Sequence, residues 1–566
     1  MPPGLEMPGV SSAVQRVLDY HQRTKHHLHR YARSLGYLDW AQQPSPFRHY
    51  EGAPLIPLIH PPVGEGPYYD ELFEAEAIPT VVLDTESLSR LLYDSLSISA
   101  WKQVHGAPPW SLRVNPSSGD LHPTEAYLVC GPVTGLFCEP GVFHYGVFNH
   151  ALERRYVLTE SEWQSIAGQL PPGAIVVALS SICWREAWKY GERAFRYCHH
   201  DVGHAIAAIM FGAATLGWQG ALIENLGDED LESLLGLRSQ IGPEAEHAHC
   251  LIAIFPDGAL GDSDGVVLEL PSELLTRLRA TEAMGRSNTL SPAHHPWPII
   301  DEVAALTRHP HMENTKMRAP FEVEARASLL GQRLVSARHI IRSRRSAVRM
   351  DGRTAMAEEV FYHMMARTLP KARPFRVLPW PPHVSLALFV HRVCGLASGI
   401  YVLARSPEHL ALLRAAMRED FVWQRTQHCP PWLDLFQLLV GDARQAAEII
   451  SCHQSIAGDG AFSLGMLADF GAMVQTQSPW VYPRLFWEAG LIGQVLYLEA
   501  EAADLRATGI GCFFDDAMHE LLGLVDERWQ SLYHFTIGGA VWDERLQTLP
   551  AYHHLDRFPT AAIGSS

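Results

Sequence analysis

One ordered set of signals runs twice along this 566-residue chain, and that constrains its fold more than any other feature. A capped, helix-periodic stretch begins at Asp84–Tyr93 and again at Thr354–Met365. Short apolar runs that predict strands follow: Ala126–Val129 and Ile175–Leu179, then Leu386–Val390 and Ile400–Leu403. Each copy then has an acid and a glycine that read as the start of a long apolar helix, Asp201-Val-Gly-His and Glu488-Ala-Gly-Leu. Glycine turns come next, at Leu216-Gly-Trp218 and Thr508-Gly-Ile-Gly511. A Leu-Leu-Gly-Leu stop follows at 234–237 and 521–524, and a last strand at Leu251–Phe255 and Phe535–Ile537. The repeat predicts two α+β halves of like fold. They should pack as an intramolecular pseudo-dimer through the two long helices. The expected boundaries are an N-terminal extension over 1–75, a first domain over 76–270, a linker with short helices over 271–330, and a second domain over 331–566.

Composition supports a large core, with 47% apolar and 19% charged residues. The net charge of -17 argues against nucleic acid and anionic membranes as partners. Any anionic ligand would need a local cluster of arginines. Nine cysteines include no Cys-x-x-Cys pair, which reads as buried free thiols in a reducing compartment, and a cytoplasmic location is expected. The first residues lack the apolar core of a signal peptide. The apolar run Val202–Trp218 is short for a membrane span and reads as a buried helix.

Three segments carry candidate chemistry. Asn115-Pro-Ser-Ser-Gly-Asp-Leu-His122 combines turn formers with two hydroxyls that can donate to a polar ring edge. Lys189-Tyr190 pairs two groups able to share a proton. Arg344-Arg-Ser-Ala-Val-Arg349 offers guanidinium groups suited to a phosphate. Taken alone, each also fits an ordinary turn, a surface pair or a solvated helix end. His200 and His204 share a helix face, but no third ligand follows, so no metal is expected. P-loop and Rossmann glycine patterns are absent.

These segments resemble the nitroreductase superfamily in its SagB-type, azoline-oxidising form. Asn115–Tyr127 is similar to that family's flavin-covering loop. Lys189-Tyr190-Gly, with Arg193–Tyr197 and Asp201–His204, is similar to the segment bearing its Lys-Tyr pair, and Arg344–Arg349 to its phosphate motif. The resemblance implies FMN as cofactor, shared between the halves. Arg344, Arg345, Ser346 and Arg349 would hold the phosphate, with Gly509 and Gly511 nearby. Ser117 and Ser118 would face the ring, on a loop shaped by Asn115, Pro116, Asp120 and His122. Lys189 or Tyr190 would be the catalytic base, and Arg545 is a weaker phosphate candidate. The first half lacks the arginine motif and the second lacks the serine loop, its counterpart being Arg373–Pro382, so a single complete FMN site is expected. The implied substrate is an azoline in a modified peptide or a related small molecule, with a peptide-modifying complex as a partner. Two other functions fit the same residues: an NAD(P)H-dependent nitro or quinone reductase, and a non-catalytic flavin-binding scaffold.

Overall fold

The computed structural model describes residues 11–62, 64, 66–74, 76–261, 265–312 and 333–556. It has a mixed α/β fold built on two antiparallel sheets. In the first, seven strands lie in the order Leu55–Pro57, Ala151–Val157, Gly141–Gly146, Thr124–Cys130, Ile175–Ser181, His247–Pro256, Trp218–Ile223. In the second, six strands lie in the order Leu435–Val440, Gly399–Leu403, Val384–Val390, Phe462–Asp469, Trp529–Gly538, Arg506–Ile510. With the short Leu55–Pro57 strand set aside, the two orders are the same in chain sequence. The strands that enter the core, such as Ile175–Ser181 and Phe462–Asp469, are buried at every residue. Their near-continuous apolar runs follow from helices or loops covering both faces.

Each sheet carries one 21-residue helix, Ala194–Ala214 in the first half and Tyr482–Ala502 in the second. These helices pack on each other, as their apolar, small-residue surfaces require. Glycine sits at the crossing on both sides. A Cβ on Gly203 would lie 2.2 Å from the Trp487 carbonyl oxygen, and one on Gly490 would lie 2.2 Å from that of His200. No side chain fits at either position, so the close backbone approach depends on both glycines.

Both helices begin a turn or more before the sequence places them. Asp201 and Glu488 are not caps but buried residues inside the helices. The polar run before Asp201 is covered by the other half and by the N-terminal segment. Arg196 pairs with Asp515 at 2.8 Å and bonds the Thr24 hydroxyl, and His200 bonds the Leu532 carbonyl. Thr508-Gly-Ile is likewise no turn: residues 506–510 form an edge strand. Both Leu-Leu-Gly-Leu stops are helix ends, with Gly236 and Gly523 in the left-handed conformation at φ 71° and 76°. The first capped helix runs Thr85–Tyr93, with the Asp84 carboxylate accepting the Ser87 amide. Its counterpart starts later than expected, at Glu358, because residues 356–357 pair as a short strand.

The N-terminal extension holds the helix Ser12–Arg23, and the segment after it bridges the halves. The His26 amide bonds Asp515, and Lys25 pairs with Asp516. Two short helices, Ser272–Ala280 and Pro298–Leu306, lie in the segment read as a linker. The last part of that segment, 313–330, lies outside the described residues. Near the C-terminus, Leu546–Leu549 pairs with Ile98–Val104 and ties the end of the second half onto the first.

Candidate active site

The serine loop follows the strand Trp110–Arg113 and closes a single tight turn over Ser118–Asp120. Gly119, Asp120 and His122 all have positive φ, at 63°, 57° and 53°. Two of these are non-glycine residues, which costs energy and must be held in place by neighbours. The holding contacts are specific. The Ser117 hydroxyl accepts the His122 amide at 2.8 Å, and Arg185 donates to the His122 carbonyl at 2.7 Å. The Asp201 carboxylate takes both the amide and the hydroxyl of Ser118. Asn115 and Pro116 are buried at the base of the loop, and the Asn115 side-chain oxygen has no hydrogen-bond partner among the described residues.

The same anchoring recurs in the other half, where the Glu488 carboxylate accepts the His383 amide at 2.9 Å. The two mid-helix acids therefore dock equivalent loops.

Lys189 and Tyr190 end the helix Cys183–Tyr190 and lie against this turn. A Cβ on Gly119 would sit 2.7 Å from the Tyr190 hydroxyl and 2.8 Å from the Lys189 ammonium nitrogen. Tyr190 packs edge-on against Tyr197, whose hydroxyl donates to the Gly511 carbonyl at 3.0 Å. Burial holds the Tyr190 phenol well above its ordinary pKa, with Glu186 adding to the effect, so it remains a hydrogen-bond donor.

The arginine motif reaches the loop from the second half. Arg344 donates to the carbonyls of Arg113 and Val114, immediately before Asn115. Arg345 donates to the carbonyls of Arg342, Arg344 and Ser99. Arg342 donates to Tyr93 and Ile98. Burial, and then repulsion from Arg344 and Arg342, lowers Arg345 to about 9. The Arg344 Nε is buried without a partner among the described residues. Ser346 bonds Tyr497 at 2.8 Å, and the Tyr497 hydroxyl accepts the Gly509 amide at 2.9 Å. Gly509 and Gly511 are required by crowding. Side chains there would lie 2.0 Å from the Tyr533 hydroxyl and 2.5 Å from the Tyr197 ring.

Most of the expected residues thus line one cleft, contributed by both halves. Asp120 links the motifs. It is exposed at the tip of the turn, within electrostatic reach of Arg344, Lys189 and Arg345. Two expected phosphate contacts fall outside. Arg349 is exposed, facing Asp543. Arg545 is a surface residue paired with Asp543 at 2.7 Å. Arg342 takes its place beside Arg344 and Arg345.

The sequence reading missed Glu186 and Asp201. Both carboxylate oxygens of Glu186 are buried without partners among the described residues, and burial beside Asp201 raises its pKa far above normal. Asp201 is raised to about 7, chiefly by burial. Glu186 lies one helical turn before Tyr190, a spacing that could have flagged it.

Among the described residues no cluster of three or more His, Cys, Asp or Glu could hold a metal ion. No described helix is long and apolar enough to cross a membrane.

The site fits FMN. Three crowded guanidiniums suit a phosphate. The unpartnered Asn115 oxygen and Arg344 Nε are available to a polar ligand.

Three comparisons bear on the fold. A protein from Anabaena variabilis assigned as a nitroreductase superposes over 93% of this chain and 99% of its own, with a TM-score of 0.64 and 21% identity. A curated protein from Methanocaldococcus jannaschii, also assigned as a nitroreductase, is 27% identical over 129 residues. That match covers 22% of this chain and 63% of the relative, so the chain spans less than two thirds of the relative's length. The microcin synthetase complex of E. coli, solved with a truncated precursor peptide, matches 43% of the chain with a TM-score of 0.26 and 16% identity, too partial to carry weight. No family model matches the chain. In fold, the chain is nitroreductase-like.

Proposed function

We propose that this chain is an FMN-dependent oxidoreductase of the SagB-type dehydrogenase class, its two domains forming an intramolecular pseudo-dimer around one flavin site. One observation carries the reading. The serine loop and Lys189-Tyr190 of the first half meet Arg344, Arg345, Ser346 and Gly509 of the second around a single cleft. Arg342, Arg344 and Arg345 would bind the phosphate. Ser117, Ser118 and the backbone at Gly119 would face the ring edge. Bound FMN would supply a two-electron acceptor.

The protein's share is positioning and proton transfer. Tyr190, held neutral, donates a hydrogen bond that orients the substrate, and Lys189 accepts the proton. Glu186 and Asp201 support the loop from below. An azoline ring in a modified peptide or small molecule suits a site that pairs a base with a hydride acceptor. A peptide-modifying complex is the matching partner. A reductase of nitro compounds or quinones is the second reading, favoured by the assignments of the relatives.

Flavin released per chain, followed by anaerobic bleaching with a thiazoline peptide or with NAD(P)H, tests the proposal. About one FMN per chain, bleached by the thiazoline and not after Lys189→Ala, supports the dehydrogenase. Bleaching by NAD(P)H alone, unaffected by Lys189→Ala, selects the reductase. Failure to bind flavin rejects both.

A further inference from the structure

The pseudo-symmetry of the two sheets creates a second cleft, and it is built differently. Its floor is the strand pair Trp218–Ile223 and His247–Pro256, the counterpart of Arg506–Ile510 and Trp529–Gly538 beneath the first cleft. Trp380, from the serine-loop counterpart, and the start of the helix Tyr482–Ala502 complete it. The cleft is partly open to solvent.

Its walls are aromatic, and its arginines are paired with acids. The Arg484 guanidinium lies between two indoles, 4.2 Å from the Trp480 ring and 4.8 Å from the Trp380 ring, and its charge is met by Glu224. Arg308 is likewise paired, with Glu232 at 2.8 Å. Neither is available to a phosphate, in contrast to the arginine cluster of the first cleft.

Four polar atoms on the walls have no partner among the described residues: His199 Nε2, His249 Nε2, His309 Nε2 and Trp380 Nε1. The roles of three follow from their neighbours. His199 is 1% exposed, and its Nδ1 accepts the Trp487 indole N–H at 3.0 Å, so Nε2 carries the hydrogen and is a donor. His309 Nδ1 lies 3.3 Å from the Leu226 carbonyl and must donate to it, leaving Nε2 as an acceptor. Trp380 Nε1 is a donor. Burial lowers both histidines, so they are neutral imidazoles. Unpaired buried polar atoms are costly, and four around one cleft point to a ligand that satisfies them.

We infer that this second cleft binds a neutral, planar heteroaromatic molecule that presents both carbonyl and N–H groups, held between the Trp380 indole N–H, the histidines and Trp487. A lactam-bearing pteridine or purine ring has that pattern. This goes beyond the proposed flavin site and does not depend on it, because Trp380, Trp480, Trp487, His199 and His309 are not part of that site.

The test is calorimetric titration of the full-length protein, as purified, with lumazine and with hypoxanthine, using benzoate as an anionic control. One site per chain for either neutral probe, with benzoate silent, is the expected result. Trp380→Phe keeps the ring and removes the donor, and His309→Leu removes the acceptor. Each should weaken binding roughly tenfold while flavin content is unchanged. Arg344→Ala/Arg345→Ala should lose flavin and still bind the probe. The inference is overturned if neither probe binds, if benzoate binds as well as they do, if both wall variants bind like the parent, or if binding disappears with the arginine variant. That last outcome would put the probe in the first cleft.

Discussion

Replacing Arg345 by Gln separates a cofactor-binding role from a structural one, because the two predict opposite balances. In the free protein Arg345 is half-buried beside Arg342 and Arg344, and burial and repulsion lower its pKa. A base with a lowered folded pKa destabilises the fold at every pH where it is charged, here all pH values below about 9. With solvent screening, removing the charge should return ~1–2 kcal/mol. The substitution also removes donors to the carbonyls of Arg342, Arg344 and Ser99, which costs a similar ~1–2 kcal/mol. The flavin-free protein should therefore unfold in urea within ~1 kcal/mol of the parent. FMN binding should lose a charge-assisted contact worth ~1.5–3 kcal/mol, or ~10- to 150-fold in Kd. Riboflavin, without the phosphate, should bind both proteins equally. Equal losses for FMN and riboflavin, or a flavin-free protein weakened by several kcal/mol, would refute the assignment of Arg345 to the phosphate.

Four other outcomes are expected. Lys189→Ala should leave flavin content intact and reduce thiazoline-driven bleaching at least ~100-fold, measured by anaerobic stopped flow. Gly509→Ala should displace the Tyr533 hydroxyl and lower flavin occupancy, and Gly509→Ala/Tyr533→Phe should restore part of it, read from the absorbance of released FMN. Asp201 has a raised folded pKa, so its contribution to stability is lost as pH rises from about 4 through about 7. Asp201→Asn should accordingly flatten the pH dependence of Tm over that window and raise Tm at pH 8, with no change at pH 4. Gly203→Val should destabilise the fold by ~3 kcal/mol or more in urea unfolding, since its side chain would enter the Trp487 carbonyl.

Much of this architecture was legible in the sequence. Strand positions were, because buried strands need apolar runs, and Ile175–Leu179 and Leu386–Val390 lie inside the observed strands. The Leu-Leu-Gly-Leu stops were, because only glycine takes the left-handed cap cheaply. Helix starts were misread at Asp201 and Glu488, where polar residues usually mean solvent but here meet buried partners. Arg349 and Arg545 matched by type and spacing, yet local backbone direction turns both outward to Asp543.

The sequence by itself determined that the chain contains two halves of one pattern, and which short segments carry reactive side chains. Local periodicity and turn chemistry act over a few residues and are written in order along the chain. Only the tertiary structure decided which segments meet. Arg344 reaches the Arg113 carbonyl across 231 positions because two glycines let the central helices cross at backbone contact. Glu186 and Asp201 acquire their shifted acidity there as well, since burial and neighbouring charge are properties of the packed interior and not of any local stretch of chain.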